Sequence, residues 1–219
     1  MKPAYAIKGV YAITPDCANT TDLLHRVRLA LKGNVKVLQY RNKSANTALR
    51  LEQAHALRKV TREYATTFIV NDDVQLAAHV DADGVHLGIA DDSVSTARAA
   101  LGMHKIIGIS CYNRLSLAQD AVDAGVDYVA FGAFFPSSIK PNAEVADIEL
   151  LQQARAKLTV PLVAIGGINL HNAASLVHAG ADALAVISGL FGSGDIMATA
   201  KKLSKLFNSN RSFTGRLTR

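Results

Sequence analysis

Four groups of residues in this chain carry side chains or turns suited to binding anions and a hard cation. Gln39, Arg41 and Lys43 alternate along a short stretch, so they share one face if that stretch stays extended. Two cations and an amide on one face suit a diphosphate, and Arg41 can grip it in bidentate fashion. Asn71-Asp72-Asp73 follows an apolar run, and Asp91 follows the next run. Mg²⁺ is held by one or two carboxylates together with substrate phosphate and water, which makes Asp72 and Asp91 the expected metal pair. Asp73 and Asp92 read instead as helix-capping residues. Gly166-Gly167 and Ile187-Ser188 follow the last two apolar runs, and glycine lets backbone N–H groups approach a phosphate closely. Between these groups lies the loop Pro136-Ser137-Ser138-Ile139-Lys140-Pro141, whose Ser137 and Lys140 are placed to close over an anion.

Each group stands at the end of a short run rich in Val and Ile. Runs of this kind cover residues 9–14, 35–40, 67–71, 84–87, 105–110, 128–132, 162–166 and 183–188. Their apolar residues are mostly consecutive, as in parallel strands buried on both faces. Helical spacing fills several gaps: Leu49, Ala56, Leu57 and Val60 in one, Leu115, Ala118 and Val122 in another. Gly125 and Gly180 stand where helices should stop, and Asp147 where one should start. Eight alternating units in 219 residues predict a closed (β/α)₈ barrel, with an open doubly wound sheet as the alternative. A barrel requires functional groups at the C-terminal rim of its strands, which is where these groups fall.

Bulk properties narrow the function. The formal charge is +6, but no acidic residue lies beyond Asp195, while Lys201, Lys202, Lys205, Arg211, Arg216 and Arg219 do. The excess is therefore a property of the end of the chain and not of a nucleic-acid-binding face. Residues 1–207 are expected to form the barrel, and 208–219 a basic tail. The chain has no Trp and few other aromatics on which bases could stack. Cys17 and Cys111 are far apart and outside any Cys-x-x-Cys pair, which fits a reducing, cytoplasmic setting. No run approaches a membrane span. Small molecules are the expected partners, with no nucleic acid and no membrane. The oligomeric state, a homo-oligomer included, is left open. His86 lies within a strand run and reads as a core or rim histidine and not as a base.

Taken together, the motifs resemble the thiamine-phosphate synthase family over about Tyr11 to Leu190. The marks are Tyr11-Ala12-Ile13-Thr14, Gln39-Tyr40-Arg41-Asn42-Lys43, Asn71-Asp72-Asp73, Ala82-Asp83-Gly84-Val85-His86-Leu87-Gly88, Asp91 and Gly108-Ile109-Ser110. They continue through Asp127-Tyr128-Val129-Ala130-Phe131-Gly132, Ala164-Ile165-Gly166-Gly167-Ile168 and Ala185-Val186-Ile187-Ser188. The resemblance implies a single-domain TIM barrel that joins 4-amino-5-hydroxymethyl-2-methylpyrimidine diphosphate to hydroxyethylthiazole phosphate or its carboxylated form. It implies that Gln39, Tyr40, Arg41, Asn42, Lys43, Asn71, Ser110 and Lys140 meet the pyrimidine diphosphate, with Arg41, Lys43, Ser110 and Lys140 acting in catalysis. Asp72 and Asp91 would bind Mg²⁺. Ser137, Ser138, Ile139, Gly166, Gly167, Ile187 and Ser188 would meet the thiazole phosphate. The family loop usually reads Thr-x-Thr-Lys, so Ile139 lacks a hydroxyl, and Ile89 replaces the usual Gln. A thiazole tautomerase on the same fold and a non-catalytic sensor of thiamine phosphate are the alternatives.

Overall fold

The computed structural model describes residues 7–136 and 145–209. Its strands are β1 (Gly9–Ile13), β2 (Val37–Tyr40), β3 (Thr67–Asn71), β4 (Gly84–Leu87), β5 (Ile106–Tyr112), β6 (Tyr128–Phe131), β7 (Leu162–Ile165) and β8 (Ala183–Val186). All pair in parallel, in chain order, and β8 closes on β1. Helices α1 (Thr20–Lys32), α2 (Thr47–Glu63), α3 (Val74–His79), α4 (Val94–Leu101), α5 (Leu115–Asp123), α6 (Ile148–Lys157) and α7 (Ala173–His178) alternate with them. Two more, α8 (Ser188–Phe191) and α9 (Ile196–Ser209), follow β8. The closed barrel replaces the open-sheet alternative.

Alternation along each strand divides the core in two. Val10, Ala12, Leu38, Tyr40, Phe68, Val70, Val85 and Leu87 face the helices in the larger cluster. Tyr11, Ile13, Val37, Ile69, Ile106, Tyr128, Ala130, Val163, Ala183 and Ala185 fill the barrel. The helix starts are set by side-chain caps: Asn19, Asn46, Asp73, Ser93 and Asp147 each accept a hydrogen bond from a first-turn N–H. Asp73 and Asp147 cap as expected. Asp92 does not, because its neighbour Ser93 takes the capping position of α4. Ser188 was expected to end a strand and instead begins α8.

Three similar clasps close the N-terminal end of the barrel. Asp83, just before β4, accepts from the Phe68 N–H of β3 at 2.8 Å and takes Arg58 of α2 in a bidentate pair at 2.9 Å. Asp127, before β6, accepts from Ile107 N–H of β5 at 2.9 Å and from Arg98 of α4 at 2.8 Å. Asp182, before β8, accepts from Leu162 N–H of β7 at 2.8 Å and from Arg155 of α6 at 2.7 Å. Each clasp joins a helix, the strand after it and the start of the next strand.

Candidate active site

The C-terminal rim surrounds a cavity of about 640 Å³. Gln39, Arg41, Lys43, Asn71, Asp72, Asp91, Ser110, Gly166, Gly167, Ile187 and Ser188 all line it. These are expected site residues, and they come from six different strand ends.

The motif around Gln39 splits by direction. β2 ends at Tyr40, yet Gln39, Arg41 and Lys43 all reach the cavity. Tyr40 and Asn42 point the other way, which corrects their expected place in the site. Tyr40 Oη donates to Gln53 Oε1 at 2.9 Å, and Asn42 Nδ2 donates to Cys17 O at 2.7 Å and Gln53 Oε1 at 3.0 Å. The reason is the two-residue period: inward Gln39 puts Tyr40 outward, where it packs against α2. Asp16, on no motif of the sequence, orients the Arg41 side chain and the Lys43 backbone. Its Oδ1 lies 3.2 Å from Arg41 Nη1 and accepts from Lys43 N–H at 3.0 Å. Thr14 Oγ1 adds a second tie, bridging the N–H and C=O of Arg41 at 2.8 Å each.

Asp72 and Asp91 meet across the ends of β3 and β4. Asp72 sits at φ 62°, in the left-handed region, which Asp tolerates better than most residues. Its N–H is fixed by His86 O at 2.8 Å, and Gly88 N–H holds Asp91 Oδ2 at 2.6 Å. Partial burial, then the neighbouring Asp91 charge, hold the Asp72 carboxyl above its usual range. Lys43 Nζ, 3.5 Å from Asp72 Oδ2, opposes this in part. Two carboxylates that repel one another are a fitting donor pair for a divalent cation. Among the described residues no group of three or more His, Cys, Asp or Glu side chains could cage a metal. The donor set therefore suits an ion that completes its shell with water and ligand oxygen, as Mg²⁺ does.

Opposite, Gly166 and Gly167 adopt φ 106° and 60°. A Cβ at Gly167 would lie 2.5 Å from the carbonyl oxygens of Phe135 and Pro136, so only glycine fits. Asn172 Nδ2 donates to Gly167 O at 3.0 Å and its Oδ1 accepts from Asn169 N–H at 2.9 Å, which steadies the turn. Ser137, Ser138, Ile139 and Lys140 lie outside the described residues.

Beneath the rim is a polar floor. Gln39 Nε2 donates to Tyr11 Oη at 2.8 Å, and Tyr11 Oη and Tyr128 Oη are 2.8 Å apart. Tyr128 Oη lies 2.9 Å from His86 Nδ1, and His86 Nε2 lies 2.9 Å from Ser110 Oγ. The His86 and Tyr128 rings stack with centroids 5.5 Å apart. Burial lowers His86 to about 4, against a weaker opposing pull from Asp91, and raises both tyrosines well above their ordinary value. His86 is thus a neutral core histidine, as its strand position suggested. In the sequence Tyr11 and Tyr128 stand only within strand runs and family marks, with nothing to say that they meet.

These features define a class: a (β/α)₈ barrel whose mouth pairs cations and carboxylates with glycine turns to hold anionic small molecules. The thiamine monophosphate synthase family matches residues 10–190. A thiamine-phosphate synthase from Methylobacillus flagellatus is 54% identical over 202 residues, 92% of this chain and 96% of its own length. One from Nitrosomonas eutropha is 49% identical over 201 residues, 92% of this chain and 95% of its own. The solved structure of thiamine phosphate pyrophosphorylase from Pyrococcus furiosus superposes with a TM-score of 0.84 at 34% identity, covering 94% of this chain and 98% of that one. The chain belongs to the thiamine monophosphate synthase family.

Proposed function

We propose that this protein is a transferase joining 4-amino-5-hydroxymethyl-2-methylpyrimidine diphosphate to hydroxyethylthiazole phosphate to give thiamine phosphate and diphosphate; its carboxylated form would give the same products with loss of carbon dioxide. The observation that carries this reading is one cavity with two unlike anion-binding sides. Arg41, Lys43, Asp72 and Asp91 line one, and Gly166, Gly167, Ile187 and Ser188 the other. A diphosphate needs the first side and a monophosphate the second.

In the reaction, the bond between the pyrimidine methylene carbon and the diphosphate oxygen breaks, and the electron pair leaves with the diphosphate. The aminopyrimidine ring stabilises the cation left behind. The thiazole nitrogen lone pair then forms the new C–N bond, and no proton needs to move for either step. A protein nucleophile is therefore unnecessary, which accords with a buried His86 held neutral. Arg41 and Lys43 offset the charge that grows on the leaving group. Gln39, Asn71 and Ser110 hold the pyrimidine end. Backbone N–H groups around Gly167 and Ile187-Ser188 hold the thiazole phosphate, and fixing the two reactants side by side supplies much of the rate. Asp72 and Asp91 would hold Mg²⁺, which when bound supplies further charge neutralisation at the diphosphate. Lys140 is assigned to the same diphosphate and Ser137, Ser138 and Ile139 to the thiazole side, both on the family pattern. Among the described residues no helix is long and apolar enough to cross a membrane. We place the reaction in the cytoplasm on the cysteine usage noted above.

The test is a coupling assay with purified protein, both heterocycles and Mg²⁺, repeated with EDTA. Thiamine phosphate formed only with Mg²⁺ is the expected result. No product from folded protein would refute the activity, and equal product with EDTA would refute the metal assignment.

A further inference from the structure

The buried chain of hydrogen bonds from Gln39 to Ser110 admits two arrangements in which each of its four contacts has one donor and one acceptor. If Gln39 donates through Nε2, Tyr11 must donate to Tyr128, Tyr128 to His86 Nδ1, and His86 Nε2–H to Ser110 Oγ. If the Gln39 amide is reversed, Ser110 donates to His86 Nε2 and every bond runs backwards. Mixed arrangements leave a buried hydroxyl proton or a ring nitrogen unpaired, which costs more than either ordered state. Both tyrosines are almost wholly buried and their hydroxyls have no other partner among the hydrogen bonds described.

The structure has Nε2 of Gln39 on Tyr11. We infer that Tyr11, Tyr128 and His86 are positioning residues forming a one-way relay, by which Gln39 turns its carbonyl oxygen to the cavity and Ser110 keeps its hydroxyl proton to donate to the ligand. The relay fits a heteroaromatic ligand that brings an exocyclic amine as donor at one end and an acceptor atom at the other. An aminopyrimidine has both, and this part of the inference rests on the proposed function. Each ring nitrogen of His86 faces one hydroxyl at 2.9 Å, so the ring donates from one nitrogen and accepts at the other. Gly108 makes room for it: a Cβ there would fall 2.0 Å from Tyr128 Cζ.

The direction is readable from the histidine tautomer. In the full chain labelled with ¹⁵N-histidine, long-range ¹H–¹⁵N spectra at neutral pH should show His86 protonated at Nε2 and bare at Nδ1. The reverse tautomer would overturn the inference. Gln39→Glu replaces the donor with an acceptor and should move the His86 proton to Nδ1; an unchanged tautomer in that folded variant would also overturn it. Kinetics give a test that does not depend on Gln39→Glu folding. Ser110→Ala and Tyr128→Phe should each raise KM for the pyrimidine diphosphate roughly tenfold, about one hydrogen bond's worth, with a smaller change in kcat. The double variant should be no worse than Ser110→Ala alone, because Tyr128 acts through Ser110. Additive losses would show Tyr128 to be merely structural and refute the relay. An Nε2-protonated His86 in a protein with no turnover would uphold the relay and sink the proposed function, so the two fail separately.

Discussion

Gly108→Ala tests the geometry of the cavity floor with a single methyl group. The added Cβ would lie 2.0, 2.2 and 2.5 Å from Cζ, Cε1 and Cε2 of Tyr128. Carbon atoms rest at about 3.5–4.0 Å, so the ring must retreat by roughly 1.5 Å. Tyr128 is fully buried, stacked on His86 and edge-on to Tyr11 with centroids 6.1 Å apart, so the ring can retreat only by leaving those partners for the cavity. A shift of that size breaks its hydrogen bonds to Tyr11 and His86. Overpacking of this kind costs about 1–3 kcal/mol and each lost hydrogen bond about 1 kcal/mol, for a total of about 3–5 kcal/mol. In a chain of this length that is a fall in Tm on the order of 10 °C. The assay is thermal unfolding by circular dichroism, run beside Michaelis kinetics on the pyrimidine diphosphate. The same substitution made in a Tyr128→Ala background meets no ring, and there its added cost should shrink toward zero. Equal destabilisation with and without the Tyr128 ring would refute the reasoning.

Three further outcomes are expected. His86 has its folded pKa depressed from 6.5 to about 4, so the unfolded chain takes up a proton first as the pH drops. Its contribution is intact above about pH 6.5 and falls by about 3 kcal/mol by pH 4; urea unfolding of the protein and of His86→Gln between pH 7 and 4 should diverge by that amount, and parallel curves would contradict it. Asp72→Asn should cut Mg²⁺-dependent turnover by at least about 10²-fold while leaving the metal-free Tm unchanged or higher, since it removes a carboxylate crowded by burial and by Asp91. Arg58→Met should cost about 3–5 kcal/mol in chemical denaturation by stranding Asp83, whose side chain is 8% exposed; Arg155→Met, beside the 36%-exposed Asp182, should cost distinctly less.

The rim was legible in the sequence because each parallel strand announces itself as an apolar run and the polar residues come directly after. That pattern alone places Gln39, Arg41, Lys43, Asn71, Asp72, Asp91 and Ser110 at one end of the barrel. Direction was harder. Treating Gln39–Lys43 as one block swept in Tyr40 and Asn42, although the period of two already assigns them to the helix side. Asp92 lost its cap to Ser93 because two adjacent residues compete for one position and only backbone geometry decides. The floor was least legible: Tyr11 meets Gln39 across 28 residues and Tyr128 across 117, and no local pattern reports contacts at such separations. The clasps escaped notice for the same reason, their partners being 15 to 29 residues apart.

Those clasps have a consequence at the opposite end of the barrel. Each locks the first residues of an odd-numbered strand, and the far ends of those three strands carry Asn71 and Asp72, Ser110, and Gly166 with Gly167. A strand is a stiff rod, rising about 3.3 Å per residue. Pinning its foot therefore sets the height of its tip along the barrel axis. Asp83, Asp127 and Asp182 act as three levelling screws: they touch no ligand, yet they decide whether the carboxylate, the hydroxyl and the glycine turn arrive in the same plane.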